Sequence, residues 1–257
     1  MKLLNNKLKK INNTYLLIFL ILSIPQTTLP QTCGFGCLGL AGVYVGYSFE
    51  NYSADGLNLQ LNNNLQNMGI NDQQYNFRSG QGFRIGMNIV RANFESYFFS
   101  VKGYYQFLEE EQVVSALRLI GEEYELKSKF EMNHWAMGFD FGIPVVSFMD
   151  WKIVDGSIKF YNTQLTNQEI TNDTVVKETK YTIPKITVGY AVGSGLIIHI
   201  IKDYISIEGT GMYNFANIDY LTNGDNTSHF PDENSKTDLV NGGGFSGIVQ
   251  LNIGIPL

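Results

Sequence analysis

Hydrophobic and polar residues alternate along much of the chain. In YISIEGTGMYNF, residues 204–215, apolar residues such as Ile207 and Phe215 are interleaved with polar ones such as Glu208 and Asn214. This alternation is typical of β-strands, because successive side chains of a strand point to opposite faces. Eight stretches of this kind cover residues 38–50, 80–92, 96–109, 123–145, 151–165, 175–200, 204–220 and 243–257. We therefore predict an all-β fold of about eight strands.

The connections between these stretches alternate in length. The short ones are residues 91–95, 146–150 and 201–203, and the longer, mostly polar ones are residues 51–79, 110–122, 166–174 and 221–242. Short turns at one end and long loops at the other are typical of antiparallel up-and-down barrels in bacterial outer membranes. Both chain ends then lie at the short-turn end. A soluble ligand-binding barrel can have the same loop pattern, so the loops alone leave both classes open.

The two faces of the predicted strands differ in size as well as in polarity. Bulky apolar residues, including Trp135, Phe139, Ile207 and Leu251, occupy one face, whereas the opposite face is small, polar or charged. A soluble eight-stranded barrel fills its interior with bulky side chains. A membrane barrel has the reverse arrangement, with apolar residues facing lipid and all backbone groups paired. The faces therefore predict a closed antiparallel transmembrane β-barrel.

The inward face of this barrel would contain eight charged residues, four of each sign. They are Glu50, Arg84, Lys102, Asp140, Asp155, Lys159, Lys185 and Glu208. All but Glu50 and Lys185 would lie at similar heights, counted from the short turns. Because side chains fill an eight-stranded lumen and buried charges need partners, we predict a charge-paired core that closes it. Two alternatives stay open, namely charges solvated at the rims and a narrow channel that opens when ion pairs exchange.

The N-terminal residues have the features of an export signal. Lysines precede the apolar run LLIFLILSI, residues 16–24, which is too short for a membrane-spanning helix of roughly 20 residues. We predict a signal peptide over residues 1–31, with cleavage between residues 26 and 32, followed by a barrel domain over residues 32–257. A retained anchor is the alternative. Cys33 and Cys37, in CGFGC, would form a disulfide in an oxidising compartment.

The first long loop has a helical pattern instead of the strand pattern. Its apolar residues recur at spacings of four, four and three, at Leu57, Leu61, Leu65 and Met68. Asp55 would cap this short helix and Gly69 would end it. The helix would lie on the barrel mouth as a lid or against lipid of the outer leaflet. The second long loop, EQVVSALRLIGEE, residues 111–123, predicts another helical turn.

The composition and the motifs argue against several classes of function. The net charge is −6 and only 16% of residues are charged, with no basic patch, which argues against nucleic acid as a partner. The three histidines, His134, His199 and His229, form no Ser-His-acid pattern, and there is neither a phosphate-binding loop nor metal-ligand spacing. We therefore expect no catalytic site, cofactor or metal. A lipid-modifying enzyme centred on His134 is the enzymatic alternative.

Both ends of the barrel region resemble a known family. The start CLGLAGVYVGYSF and the final segment GIVQLNIGIPL are similar to those of small eight-stranded outer-membrane barrels of the OmpA, OmpX and OmpW kind. Leu257 replaces the usual terminal aromatic residue. The resemblance, over residues 38–257, implies a Gram-negative outer membrane, surrounding lipid and the barrel-insertion machinery as a partner. It also implies a role in envelope structure or surface interaction, with an unidentified extracellular partner, or else a porin-like narrow channel for small solutes.

Overall fold

The computed structural model describes residues 42–117, 123–202, 204–224, 228–231 and 237–254. The predicted signal peptide, Cys33, Cys37 and Leu257 lie outside these residues. None of the described residues belongs to a helix long and apolar enough to cross a membrane. The elements are β1 (Gly42–Asn51), α1 (Asp55–Asn67), β2 (Ser79–Asn93), β3 (Phe98–Gln106), β4 (Glu109–Leu117), β5 (Glu123–Val146), β6 (Met149–Thr171), β7 (Thr174–Thr182), β8 (Thr187–Ile201), β9 (Ile205–Ile218), β10 (Leu221–Asn223), β11 (His229–Phe230) and β12 (Val240–Ile253).

Eight of these strands close into an antiparallel ring. The order is β1, β2, β3, β5, β6, β8, β9 and β12. The ring closes where β12 pairs back with β1, from Val43 opposite Ile253 to Glu50 opposite Ser246. Closure leaves no strand edge in this part of the molecule, so the backbone hydrogen-bonding groups of each strand have partners on both sides. The predicted closed up-and-down barrel is confirmed.

Two regions predicted to be long loops are strands instead. β4 continues the direction of β3 and pairs with the first half of β5, from Glu109 opposite Glu131 to Leu117 opposite Glu123. β6 extends to Thr171 and pairs there with β7. The helical turn predicted for residues 111–123 is therefore wrong over its described part. Pairing with β5 outweighs the local helical pattern, as tertiary context often does in sheets.

The predicted stretch 175–200 is divided into two strands by a break at residues 183–186. β7 ends at Thr182 and β8 begins at Thr187. Pro184 lies in the break, and proline has no backbone N–H to donate to a ladder. Both strands pair with β6, so together they form the return arm of one long hairpin.

The helix predicted in the first long loop is present as α1. Leu57, Leu61 and Leu65 are buried as expected, but Met68 is 58% exposed because it follows the last helical residue. Gly69 has a φ of +82°, a left-handed conformation that ends helices easily. The N-cap residue is Ala54, and the Asp55 carboxylate instead accepts a hydrogen bond from the Ser53 hydroxyl at 2.9 Å.

The main apolar core lies at the long-loop end of the barrel. α1 contributes three leucines to it, and the strands around the mouth contribute most of the rest. Its buried members include Tyr52, Leu57, Leu61, Leu65, Tyr75, Phe77, Leu108, Phe130, Met132, Leu165, Ile218, Leu221 and Leu239. The mouth of the barrel is therefore packed like the interior of a soluble domain.

The outer wall of the ring is apolar. In β1, buried and exposed residues alternate along the whole strand, and the exposed residues include Val43, Val45, Tyr47 and Phe49. The same pattern continues around the barrel. Val45, Phe83, Ile85, Trp135, Met137, Tyr190, Phe245 and Val249 are all between 49% and 68% exposed. A continuous surface of this kind is far larger than the scattered apolar residues of soluble proteins.

Candidate functional site

The charged residues inside the ring form the candidate site. Apart from Asp150 at the short-turn rim, four cations and four carboxylates are buried there, namely Arg84, Lys102, Lys152 and Lys159 with Glu50, Asp140, Asp155 and Glu208. Among the described residues, these eight charges sum to zero. Seven of them belong to the set expected from the sequence. Lys152 takes the place of Lys185.

Five of these residues form a cluster in the short-turn half of the lumen, here called the lysine–carboxylate cluster. Lys102 Nζ lies 2.7 Å from Asp140 Oδ1 and 2.6 Å from Asp155 Oδ2. Lys152 Nζ lies 2.5 Å from both Asp155 Oδ2 and Glu208 Oε1, and 3.4 Å from Asp140 Oδ1. Two ammonium groups therefore hold three carboxylates together, and the five side chains come from four strands, β3, β5, β6 and β9.

Neutral donors also bind two of these carboxylates. The Ser100 hydroxyl donates to Asp140 at 3.0 Å, and the Asn252 amide donates to Glu208 at 3.3 Å. Gly138 leaves room for the stem of Lys102, because a Cβ there would lie 3.1 Å from Lys102 Cε. Buried charges are tolerated when they are paired and hydrogen-bonded. Every charge of this cluster is paired, and Asp155 Oδ1 is the one carboxylate oxygen of the cluster that is buried without a hydrogen-bond partner.

The sequence pattern does not predict that Lys152 faces the lumen, because a β-bulge lies next to it. Simple alternation from Asp155 would turn Lys152 outward, yet its side chain is fully buried. Ile153 and Val154 both lie opposite Ser194, so the strand gains one residue and the alternation reverses. The Ser194 hydroxyl donates to the Lys152 carbonyl at 2.6 Å, which satisfies a backbone group that the bulge removes from the ladder.

The two remaining buried cations, Lys159 and Arg84, lie apart from the lysine–carboxylate cluster. Lys159 Nζ contacts Glu50 Oε2 at 2.8 Å and Asn214 Oδ1 at 2.6 Å. The Tyr161 hydroxyl donates to the same Glu50 carboxylate at 3.2 Å. This second ion pair lies directly below the apolar core, because Tyr161 also belongs to that core.

Arg84 has no carboxylate partner among the contacts of the described residues. Its Nε donates to Gln106 at 2.8 Å, and its guanidinium lies 3.9 Å from the centre of the Tyr104 ring. Gln106 in turn donates to the Ser48 hydroxyl at 2.7 Å. The π face of Tyr104 and the amide of Gln106 replace an ionic partner, and the positive charge offsets the extra carboxylate of the lysine–carboxylate cluster.

The expectation of six charges at similar heights is wrong in detail. Lys102, Asp140, Asp155 and Glu208 come together, but Arg84 and Lys159 do not contact them. Strands of a barrel are tilted and staggered, so equal residue counts from the turns do not correspond to equal heights. Lys185 is also misplaced, since it lies exposed in the break beside Pro184, where strand alternation does not apply.

A smaller polar group lies at the short-turn rim. Asp150 Oδ2 is 3.2 Å from the Arg91 guanidinium and 2.9 Å from His199 Nε2, and all three side chains are partly exposed. Arg91 also lies 4.8 Å from the centre of the Phe98 ring. The group ties β2, β6 and β8 together at the rim that carries the short turns.

The carboxylate of Glu110 accepts several hydrogen bonds at the long-loop end of the barrel. Glu110 Oε2 accepts hydrogen bonds from the Tyr52 hydroxyl at 2.6 Å and from the backbone N–H groups of Arg78 and Ser79. Burial, followed by the adjacent Glu110 charge, raises the pKa of Tyr52. Its hydroxyl therefore stays protonated and donates, and the segment that follows α1 is fixed to β4.

His134, the centre of the enzymatic alternative, lies inside the barrel. His134 is fully buried, with Nδ1 3.3 Å from the Met132 carbonyl oxygen. Its ring lies against Tyr161, with the centres 4.8 Å apart. Within the described ranges, no three His, Cys, Asp or Glu residues are placed to hold a metal ion.

Comparisons with known proteins found similar solved structures but no matching family. No family model and no curated protein matches this chain. Similar solved structures include Ail, the attachment invasion locus protein of Yersinia pestis, at 13% identity and a TM-score of 0.39, covering 84% of this chain and 97% of that one. Neisserial surface protein A has 10% identity, a TM-score of 0.30 and coverages of 84% and 99%. The outer membrane protease OmpT from Escherichia coli has 9%, 0.34, 84% and 94%. Neither an activity nor a location follows from similarity this low.

Proposed function

We propose that this chain is a non-enzymatic β-barrel of the bacterial outer membrane, with a closed lumen and with loops that serve envelope structure or surface interaction. The observation that carries the proposal is that the ring has apolar side chains on its outside and charged side chains on its inside. Met137, at 59% exposure, is on the outside, whereas Lys102 and Lys152 are buried inside. In water this arrangement would expose an apolar wall and bury charges at the same time. In a bilayer each face has the surroundings it requires.

Two layers of packed side chains, one above the other inside the barrel, support a closed lumen. The lysine–carboxylate cluster and the Lys159–Glu50 pair occupy the interior of the ring. Above them, α1 packs its leucines into the apolar core, and Gly56 approaches the backbone of Asp238 so closely that a Cβ would lie 2.3 Å from its carbonyl oxygen. An apolar core above an ion-paired one leaves little room for a path of water and solutes.

Membrane insertion can be tested with the whole protein. We expect the detergent-extracted envelope to contain a form that migrates differently on gels before and after heating, since folded membrane barrels resist the detergent until heated. Fractionation of the same cells provides the control, with the protein in the outer-membrane fraction. Release without detergent, together with no heat-dependent shift, would contradict the membrane proposal.

Closure is tested separately by conductance. The folded protein, reconstituted into planar bilayers, should give no steady single-channel current, whereas a porin in the same bilayer should conduct. A reproducible current from this protein would instead support the narrow-channel alternative.

The absence of catalysis has its own test. Burial of His134 beneath the apolar core supports a structural role for this histidine. We expect His134→Gln to leave the lipid A profile of expressing cells unchanged. A profile that differs between wild type and variant would favour the lipid-modifying enzyme.

A further inference from the structure

The pair of strands that closes the ring, β1 and β12, is joined in a different way from the other neighbouring pairs. Each of the other seven pairs is connected by a segment that runs directly from one strand to the next, whereas β1 and β12 are connected only through all the other strands. No short loop therefore keeps their ends together. Their ladder, here called the seam, ends at Glu50 opposite Ser246, although β12 pairs with β9 as far as Val240.

A run of glycines lies in β12 at the point where the seam ends. Gly242 has a φ of +97°, and a Cβ at Gly244 would collide with the Asn51 carbonyl oxygen. Beyond the glycines, the Asn241 N–H donates to the Ser53 carbonyl at 3.0 Å. Glycines weaken a strand because they have no side chains to pack. The long-loop end of the seam therefore needs contacts other than its ladder to stay closed.

A chain of side-chain contacts inside the lumen supplies them. Lys159 Nζ contacts the carboxylate of Glu50, the last residue of β1 in the seam, at 2.8 Å. The same ammonium group donates to Asn214 Oδ1 at 2.6 Å, and Asn214 Nδ2 donates to the Gly244 carbonyl at 3.2 Å. β6, which carries Lys159, lies across the ring from the seam. One buried ammonium group is thus linked to both strands of the seam where their ladder ends.

We propose that Lys159 is a latch for the ring, and that the seam between β1 and β12 opens from its long-loop end when the contacts of Lys159 are lost. The lysine–carboxylate cluster does not have this role, because its five residues come from β3, β5, β6 and β9 and none comes from β1 or β12. The inference goes beyond the proposed function, which requires a closed ring but does not say which contact keeps it closed.

The backbone of β1 provides a measurement that is specific to the seam. The Tyr52 N–H donates to the Arg78 carbonyl, on the side of β2, at 3.0 Å. Alternate residues of an antiparallel strand direct their backbone groups to the same neighbour. Even-numbered residues such as Ser48 therefore bond to β2, whereas the odd-numbered Tyr47 and Phe49 bond to β12. Opening of the seam exposes the amides of Tyr47 and Phe49 and leaves that of Ser48 protected.

The test is hydrogen exchange followed by NMR on the full-length folded protein in detergent micelles. The quantity measured is the exchange rate of the Tyr47 and Phe49 amides relative to that of Ser48. We expect Lys159→Met to raise this ratio about tenfold, because local opening exposes only the seam amides. Asn214→Leu keeps the ion pair with Glu50 and removes only the link to β12. It should raise the same ratio by a smaller factor.

Lys102→Met is the matched control. Lys102 is also a buried lysine with carboxylate partners, Asp140 and Asp155, but it lies on β3 and contacts neither strand of the seam. Its replacement should leave the ratio as in the wild type, even if all amides exchange faster. The heat-dependent gel shift verifies that each variant is folded, and Asn214→Leu decides the question alone if Lys159→Met does not fold.

The latch is refuted if the ratio is unchanged in the folded variants at Lys159 and Asn214, or if Lys102→Met raises it as much as they do. These outcomes are independent of the proposed function. An unchanged ratio in a protein that shows the gel shift, fractionates with the outer membrane and does not conduct would refute only the latch. A raised ratio in a protein that is released without detergent would refute the membrane proposal and leave the latch standing.

Discussion

The two halves of β5 have opposite distributions of polarity although they belong to one strand. In the half inside the ring, Trp135 is 65% exposed and Asp140 is buried. In the half beyond the ring, Phe130 is buried at 1% exposure, whereas Lys127 and Lys129 lie outside in ion pairs with acidic residues. The inward-facing positions keep the same parity throughout. The residues at these positions change in chemistry along the strand, from the charged Asp140 inside the ring to the apolar Phe130 beyond it.

Under the membrane proposal, this difference marks the level at which β5 passes from lipid into water. A wall of apolar side chains over a charged interior is stable next to lipid, whereas charged side chains over an apolar core are stable in water. The boundary in β5 lies between Met132, which belongs to the apolar core, and Asp140 in the lysine–carboxylate cluster. We place the water–lipid boundary at this level, and the following variants test that placement.

The largest expected effect concerns the charged interior. Lys152→Met leaves three carboxylates with one ammonium group, and the loss of one member of a buried ionic group costs about 3–5 kcal/mol. We expect this decrease in the free energy of unfolding in urea, measured in lipid vesicles. Adding Glu208→Gln should restore part of it, because the double variant has one fewer unpaired carboxylate. A single variant as stable as the wild type would show that the cluster contributes little.

The next effect concerns the apolar core beyond the ring. Leu57 is fully buried in this core, and Leu57→Ala should lower the free energy of unfolding by about 2–5 kcal/mol through lost burial and a cavity. Leu59, on the same helix, is 53% exposed. Leu59→Ala should therefore change the stability little. Similar losses for the two variants would mean that α1 does not pack as described.

A lysine on the outer wall distinguishes lipid from water directly. Phe141→Lys places a charge on the outer wall of the ring, on the lipid side of this boundary, with an expected cost of about 2–4 kcal/mol in vesicles. Val113 is 48% exposed on β4, beyond the ring. Val113→Lys should cost less than about 0.5 kcal/mol, as surface substitutions usually do. Equal costs at the two positions would place the water–lipid boundary elsewhere.

The smallest expected effect concerns an ion pair in the outer, water-facing half. Lys127 and Glu111 are about a third or more exposed and lie 2.8 Å apart. Lys127→Met should change the free energy of unfolding by about 0–1 kcal/mol, because solvent screens such pairs. Salt titration of wild type and variant measures the remaining contribution. A loss as large as that of Lys152→Met would contradict the contrast between the two halves.

The candidate site was predictable only in part. Seven of the eight charges inside the ring can be found by alternation within the predicted strands, because no bulge reverses the pattern within the stretch from which each was assigned. Lys152 cannot, since the bulge at Ile153 and Val154 reverses the pattern. Lys185 is misassigned for a related reason, as Pro184 interrupts the ladder beside it. A proline is visible in the sequence, whereas this bulge has no comparable signal.

The amino-acid sequence by itself determined the eight strands of the ring, the two-faced character of its wall and the helix in the first long loop. These features depend on local periodicity, which is written directly in the order of the residues. Only the tertiary structure decided which charges meet, how far the hairpins extend beyond the ring and what fills the barrel mouth. The physical reason is that strand tilt, register and bulges arise from pairing between distant segments, so a partner such as Glu208 for Lys152 exists only after the ring has closed.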